Sequence, residues 1–285
     1  MCLSYDAEAA YLGKFGDDGV AEYNCKILTQ LGVDFSHSRH FHGENGAARV
    51  TLKDGDRVFL GSNRGGVAKE HPFDFTKEDL DYIKSFQVIY SNTNSYIYDD
   101  LSLLEETGVP IAFDFSTVWD DALLEQVCPH IKGSPSFPAH ILTAEERERE
   151  MKKAASYGVT LVVGTVGEDG SYALYDGEIV YAPAYKAETV LDTMGAGDSY
   201  FSTLLTTLLQ ENGALFAGDH DHMIAQLKHA MDCGAKFAAK GLQLRRGFRL
   251  RNCYYRLTFS QFWNFSRTRF YSRAVFKQNS INVMY

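Results

Sequence analysis

The stretch Asp192-Thr193-Met194-Gly195-Ala196-Gly197-Asp198 is the most informative part of this sequence, and a helix is predicted directly after it. The apolar residues of that helix recur at three- and four-residue spacing, at Phe201, Leu204, Leu205, Leu208 and Leu209. The first N–H groups of a helix have no intrahelical partner, and the helix dipole favours an anion there. The small residues 195–197 would let a ligand approach these N–H groups closely. The stretch therefore predicts an anion site at a helix N-terminus.

Asp198 follows this predicted anion site immediately. A carboxylate beside a bound anion is electrostatically unfavourable unless it has a chemical task. Removing a proton from an attacking hydroxyl group is such a task, so Asp198 is a candidate general base. The alternative is that Asp198 is the N-cap of the helix and that the glycines form a tight turn. The four residues Gly-Ala-Gly-Asp alone do not decide between the two interpretations.

Outward from this stretch, strand-like and helix-like segments alternate, which predicts an α/β fold with a mostly parallel sheet and crossover helices. Val159 to Val163 is a run rich in β-branched residues, typical of a strand buried on both faces. Thr143 to Glu146 forms a capping-box pattern at the start of a charged helix. The polar hairpin predicted over about 46–61 is expected to form a small β lid at the edge of the sheet.

The net charge of −9 is distributed very unevenly along the 285 residues. Residues 1–239 carry 18 Lys and Arg against 37 Asp and Glu, a balance of −19, whereas residues 240–285 carry 10 basic and no acidic residues. We therefore predict one domain over 1–239 and an atypical basic, aromatic tail over 240–285. An altered reading frame or exon would explain the tail. A polyanion-binding role is the alternative, although nucleic acid is not the expected partner.

The composition is that of an ordinary globular protein, with 45% hydrophobic and 23% charged residues. The sequence contains neither an apolar stretch long enough for a membrane helix nor the pattern of a signal peptide. Five scattered cysteines suit reduced thiols, so a cytoplasmic location is expected. His37, His40 and His42 alternate as metal ligands on a strand could, but an exposed loop is the favoured interpretation.

The stretch 192–198 resembles the signature D-T-x-G-A-G-D of the PfkB (ribokinase-like) carbohydrate kinases at every defined position. Thr165 to Gly170 is similar to that family's nucleotide-contacting loop, and Gly13 to Asp18 with Gly32-Val33-Asp34 is similar to its N-terminal pattern. The resemblance covers roughly residues 9–239. Within the family the chain looks most like the fructoselysine 6-kinases, through Asp56–Phe59, Ala112–Ser116, Trp119-Asp120 and Asp192–Ser199.

The resemblance implies a ribokinase-like three-layer sandwich that transfers the γ-phosphate of ATP to a sugar hydroxyl, with Mg²⁺ and with K⁺ as a further ion. Asp198 would be the catalytic base, and the backbone of Gly195, Ala196 and Gly197 would form the anion hole. Asp192 and Thr193 would match the monovalent-cation site, although a carboxylate that caps a turn is an equal alternative for Asp192. Nucleotide contacts would come from Thr165, Gly167, Gly170 and Gly197. A homodimer through the lid is a further expectation.

Asn92 and Asp114 are candidate sugar contacts for a different reason. Both lie near predicted strand ends, where ligands bind in open α/β sheets. An isolated polar residue at such a position is more often structural, so both interpretations stay open.

Two departures from the family pattern affect these expectations. The N-x-x-E motif that serves Mg²⁺ is not found in 132–141, and Glu145 or Glu146 could replace it, although a solvated helix face is favoured for both. The family's first strand and its G-G-N-x-x-N sugar motif have no counterpart in this chain, which starts after both. A gap beside a central strand, with unpaired backbone groups, is therefore expected. A catalytically impaired protein with the kinase fold is the alternative function.

Overall fold

The structure is a computed structural model that describes residues 8–53, 56–131, 133, 135–137, 139–191, 193, 195–243 and 280–283. Its strands are β1 Glu8–Ala10, β2 Lys14–Phe15, β3 Arg39–His40, β4 Ala48–Lys53, β5 Asp56–Ser62, β6 Ile89–Asn92, β7 Ile111–Asp114, β8 Pro135–Phe137, β9 Leu161–Thr165, β10 Ser171–Tyr175, β11 Glu178–Ala182 and β12 Ser280–Val283. Its α-helices are α1 Gly19–Leu31, α2 Val67–Glu70, α3 Lys77–Ile83, α4 Leu101–Glu105, α5 Asp121–Val127, α6 Ala144–Ser156, α7 Ala196–Asn212 and α8 His220–Leu242.

A large sheet of eight strands runs through the molecule in the order β1-β12-β6-β7-β8-β9-β10-β11. The strands from β1 to β9 in this order are parallel, and β10 and β11 extend the sheet as an antiparallel hairpin. The hairpin turns at Asp176-Gly177, where both residues have positive φ, as the sequence Asp-Gly predicts. The predicted α/β fold with a mostly parallel sheet is confirmed.

Helices cover both faces of this sheet, which gives three layers. Successive strand residues face opposite sides, so Val162 packs with the helices α3 to α6 and Val163 packs with α7 and α8. Helix α7 is largely buried and contacts α8 along its length. Both faces of the central strands are thus removed from water, which explains the apolar run at 161–163.

Local sequence signals set several of the helix ends. The capping boxes at Thr76 and Thr143 form at the starts of α3 and α6, and Gly32 ends α1 in the left-handed conformation. In the part of the chain that the structure describes, none of the helices combines the length and the hydropathy required to cross a bilayer.

Two small sheets lie apart from the large one. β4 and β5 form the antiparallel hairpin that was predicted as a lid, and β2 pairs in parallel with β3. In the second pair, Lys14 stands opposite Arg39. This arrangement places the segment after β1 next to the base of the hairpin, where both contribute to a cavity described below.

A strand lies beside β1, where a gap was expected. Strand β12, which belongs to the atypical tail, lies there and pairs in parallel with both β1 and β6. Unpaired backbone groups between two strands are costly, so an extended segment with the sequence Ser-Ile-Asn-Val is stabilised by hydrogen bonding to both edges. The rest of the tail over 244–279 lies outside the described residues.

Candidate active site

The N-terminus of α7 has the geometry of an anion site. Gly195 precedes the helix in the left-handed conformation with φ of 71°, which favours glycine, and no side chain caps the helix among the described residues. The first helical hydrogen bond joins the Ser199 N–H to the Gly195 carbonyl at 2.9 Å. A Cβ on Gly197 would meet nothing within 4 Å, so the space in front of this backbone is open. These features leave the helix N-terminus accessible to an external anion.

Asp198 is the third residue of α7, not its N-cap, so the capping interpretation is wrong. Its side chain is hydrogen-bonded to the carboxyl group of Asp114 at the end of β7. Burial and the nearby charge of Asp198 raise the pKa of Asp114 to about 7, against the hydrogen bonds that Asp114 accepts from Ser116 and Tyr90. Near neutral pH the two carboxyl groups can therefore share one proton.

Asn92 and Asp114 stand opposite each other in the register of β6 and β7, at the carboxyl edge of the parallel sheet. The Asn94 N–H donates to Asn92 Oδ1 at 2.8 Å, and the Ser116 N–H donates to Asp114 Oδ1 at 2.8 Å. Both side chains thus stabilise the turns after their strands, as the structural interpretation expected. Asp114 has a second contact, with Asp198, that goes beyond this role.

The loop predicted to contact nucleotide leaves the same edge of the sheet at the end of β9. Thr165 ends the strand, Gly167 to Asp169 form one 3-10 turn, and Gly170 leads into β10. Gly167 and Gly170 have φ values of 60° and 94°, and a Cβ on Gly170 would lie 2.3 Å from the Ala182 carbonyl oxygen. Positive φ favours glycine at both positions, and the close carbonyl oxygen excludes a side chain at Gly170.

A buried contact ties this loop to α7. The hydroxyl groups of Ser171, the residue after the loop, and Tyr200 lie 2.7 Å apart, and Tyr200 follows Asp198 by two positions on the helix. Tyr90 of β6 and Phe201 of α7 pack with ring centroids 5.6 Å apart. Helix α7, which carries Asp198, is thus packed against both β10 and β6.

A cavity of about 500 Å³ lies between the base of the β4–β5 hairpin and the loop after β6. The residues that border it and carry polar side chains include Lys14, Asn45, Arg64, Asn94 and Tyr96. None of these five occupies a defined position of a motif that the sequence analysis singled out. They come from segments far apart in the chain, so no local motif marks them.

Several predicted ligands do not gather at this site. Glu146 belongs to the capping box, where its Oε2 accepts from the Thr143 N–H at 2.8 Å, and Glu145 is exposed on α6. The described residues include no group of three His, Cys, Asp or Glu that could hold a metal ion. The carbonyl of Thr193 accepts from the Ala196 N–H at 3.3 Å, while Asp192 lies outside the described residues.

Comparison with known proteins agrees with this fold. The family model "pfkB family carbohydrate kinase" matches residues 3–241. The chain is 32% identical to fructosamine kinase FrlD of Bacillus subtilis over 211 residues, which cover 74% of this chain and 73% of that protein. It is also 32% identical to fructoselysine 6-kinase of Escherichia coli over 207 residues, covering 72% and 76% of the two chains.

Solved structures show the same fold at lower identity. Ribokinase from Giardia lamblia superposes with a TM-score of 0.71 at 12% identity, over 82% of this chain and 76% of that chain. Ribokinase from Arabidopsis thaliana, solved with ribose and ATP, gives a TM-score of 0.64 at 18% identity over 85% of each chain. The expected ribokinase-like architecture and the predicted kinase class are confirmed, and this chain belongs to the pfkB family of carbohydrate kinases.

Proposed function

We propose that this sugar kinase transfers the γ-phosphate of ATP to a hydroxyl group of a fructosamine, a sugar joined to an amine. The observation that carries the proposal is the position of Asp198, on the open first turn of a buried helix and in contact with a second carboxyl group. The two relatives at 32% identity are named as a fructosamine kinase and a fructoselysine 6-kinase, which supports the substrate class and phosphorylation at the 6-hydroxyl.

Asp198 is the proposed general base. Its carboxylate takes the proton from the sugar hydroxyl while the hydroxyl oxygen forms a bond to the γ-phosphorus, and the bond from that phosphorus to the leaving oxygen of ADP breaks. Asp114, whose pKa is raised to about 7, supports this role because its protonated form donates a hydrogen bond to the Asp198 carboxylate. That hydrogen bond orients the base and keeps the net charge of the pair near −1 when the anionic phosphates approach.

The backbone at 195–197 is the proposed anion hole. The N–H groups at this helix N-terminus, which no described side chain caps, are oriented before the reaction starts, so they stabilise developing negative charge without reorganising. The turn at Thr165 to Gly170 leaves the same sheet edge and is held to α7 through Ser171 and Tyr200. This supports the proposed nucleotide contacts of Thr165, Gly167, Gly170 and Gly197.

The proposed ions are Mg²⁺ and K⁺. Magnesium in kinases is held by substrate phosphates, waters and one or two carboxylates, and it does not require a dedicated cage of protein ligands. Asp114 and Asp198 carry about one negative charge between them, so the proposed Mg²⁺ would be held mainly by the phosphates of the nucleotide with which it arrives. Asp192 and Thr193 remain the proposed K⁺ ligands.

The test is phosphorylation of fructosyl-lysine by the purified chain and by Asp198→Asn. We expect kcat to fall by at least about 100-fold in the variant, because general acid–base catalysis contributes 10²–10⁴-fold to such rates. Asp221→Asn is the matched control, since Asp221 is an exposed acidic residue in the first turn of the neighbouring helix α8. Equal activity of Asp198→Asn and the control would contradict the proposed role of Asp198.

A further inference from the structure

The cavity below the β4–β5 hairpin has a charge opposite to that of the surrounding protein. Its border includes the cationic side chains of Lys14 and Arg64 and no aspartate or glutamate among the described residues. Residues 1–239 as a whole carry 37 acidic against 18 basic residues. A cavity without acidic groups in so acidic a domain is therefore a specific local feature, and it favours an anionic ligand.

Lys14 is an unusually buried cation. The residue is 5% exposed, and its ammonium group donates one hydrogen bond, to the His71 carbonyl at 2.9 Å. No carboxylate of the described chain lies within 4 Å of it. A buried ammonium that no carboxylate contacts directly is costly, so an anion bound in the cavity would stabilise it.

The pKa of Lys14 agrees with this description. Burial lowers it from its usual value, and the more distant charges of Asp100 and Asp74 act in the opposite direction. An anion bound in contact with Lys14 would offset the effect of burial directly.

Arg64 and Tyr96 both border the cavity, and both have a strained backbone. Both have positive φ, 58° and 53°, which is rare for residues other than glycine. The Tyr96 hydroxyl donates to the Arg64 carbonyl at 3.2 Å, and a Cβ on Gly65 would lie 2.6 Å from the Tyr96 ring. Strained backbone of this kind concentrates at ligand-binding positions. The exposed guanidinium of Arg64 keeps its donors available for a planar anion such as a carboxylate.

The cavity also adjoins the catalytic corner, the Asp114–Asp198 pair at the carboxyl edge of the large sheet. Asn94 borders it, and the Asn94 N–H is bonded to Asn92 Oδ1 at 2.8 Å. Asn92 in turn stands opposite Asp114 in the sheet register. A substrate with its reacting hydroxyl at the Asp114–Asp198 pair could therefore extend its other end towards Lys14 and Arg64.

We infer that Lys14 and Arg64 recognise a carboxylate on the part of the sugar substrate that does not react, which makes this kinase specific for fructosyl amino acids over fructosyl amines. The inference rests on the proposed function and names the part of the substrate that sets its specificity. The carboxylate of an amino acid joined to fructose satisfies the buried ammonium of Lys14 and pairs with the guanidinium of Arg64.

The experiment compares N-fructosylglycine with N-fructosylglycinamide, which has nearly the same shape and lacks the negative charge. We expect kcat/KM for the carboxylate to exceed that for the amide by about tenfold or more, because a hydrogen bond to a charged group contributes a binding free energy of this size. The ratio should fall towards one in Lys14→Met and in Arg64→Gln. Lys26→Met is the control, because Lys26 is an exposed lysine on α1 that does not border the cavity.

Two readouts keep the inference and the proposed function separate. Calorimetric dissociation constants for the two compounds report carboxylate recognition even when no phosphate is transferred. Arg64→Gln alters an exposed side chain, so it retains a folded protein should Lys14→Met not fold. A wild-type ratio of kcat/KM near one would overturn the inference, and so would a ratio that neither variant changes. Turnover of both compounds would in that case still support the proposed function. A preference for fructose 1-phosphate over N-fructosylglycine would also overturn it, by assigning the cavity to a phosphate.

Discussion

The catalytic corner and the cavity below the hairpin differ in charge and in construction. The corner carries the acidic pair Asp114 and Asp198 at the carboxyl edge of the large sheet, against a helix N-terminus. The cavity carries Lys14 and Arg64 between the two small sheets and the loop after β6. The negative pair suits removal of a proton, and the positive cavity suits binding of a substrate anion. The contrast indicates that reaction and recognition use separate parts of the molecule.

The two regions also differ in how they are supported. Helix α7 is buried between the sheet and α8, so the position of Asp198 depends on a large hydrophobic core. The pair β2–β3 is short and is fixed by side-chain contacts, in particular by Asp79 of α3, which is bonded to Arg39 and His37. Substitutions at these two supports should therefore have different consequences for catalysis and for recognition.

The largest expected effect on stability is that of Asp79→Ala, on the cavity side. The Asp79 side chain is 3% exposed, and the substitution leaves the guanidinium of Arg39 without its carboxylate. This costs about 3–5 kcal/mol in fully buried pairs and somewhat less here, because the Arg39 side chain is 26% exposed. Arg39 stands opposite Lys14 in the β2–β3 pair, so KM for a fructosyl amino acid should rise as well. Urea denaturation measures the loss of stability.

Asp81→Ala is the control on the same helix, because Asp81 is exposed and pairs with Lys77 and Lys84 at the surface. A loss of stability no larger than that of the control would contradict the supporting role of Asp79. The pH dependence gives a second check. Burial opposes the ionised form of Asp79, but its hydrogen bonds outweigh burial and lower its pKa from 3.8 to about 2. Its contribution is therefore present above pH 3.8 and lost as the pH falls towards 2.

A smaller effect is expected on the catalytic side, from Asp114→Asn. The folded-state pKa of Asp114, about 7, lies above the unfolded value of 3.8, so the folded protein binds the extra proton between these values. Its stabilising contribution is complete below pH 3.8 and is lost as the pH rises through 7. Wild-type protein should therefore lose about 1–3 kcal/mol more than the variant between pH 5 and pH 8.

Chemical denaturation of both proteins at the two pH values measures this difference. The side-chain amide that Asp114→Asn introduces can still donate a hydrogen bond to Asp198, so activity at pH 7 should stay within about tenfold of wild type. Identical pH dependence of stability in the two proteins would show that Asp114 does not titrate near neutrality.

The smallest expected effect concerns the nucleotide loop and compares Gly170→Ala with Gly177→Ala. Both glycines have positive φ, so each alanine costs about 1–2 kcal/mol in backbone strain. Only Gly170 faces a backbone oxygen, 2.3 Å from a Cβ built there, whereas nothing lies within 4 Å at Gly177. Gly170→Ala should therefore lower Tm further and reduce the rise in Tm that Mg-ATP produces. An equal rise in Tm with Mg-ATP in both variants would show that Gly170 does not contribute to nucleotide binding.

The catalytic corner could be predicted because its residues follow one another in the chain. Small residues before an amphipathic helix specify an open N-terminus, and a carboxylate at the next position suggests a base. The contact between Asp198 and Asp114 could not be read from the sequence, because it depends on which strand ends meet at the sheet edge. The cavity could not be predicted at all, since Lys14, Arg64 and Asn94 come from three separate segments. The pairing of β12 with β1 and β6 escaped prediction for the same reason, since sequence patterns do not specify long-range partners.

The most direct test of the separation between reaction and recognition is a measurement of kcat and KM for N-fructosylglycine in wild type, Asp198→Asn and Arg64→Gln. The account predicts that Asp198→Asn lowers kcat by at least about 100-fold with KM little changed. It predicts that Arg64→Gln raises KM about tenfold or more with kcat little changed. Retention of kcat by Asp198→Asn would contradict the account, and so would a loss of kcat without a change in KM in Arg64→Gln.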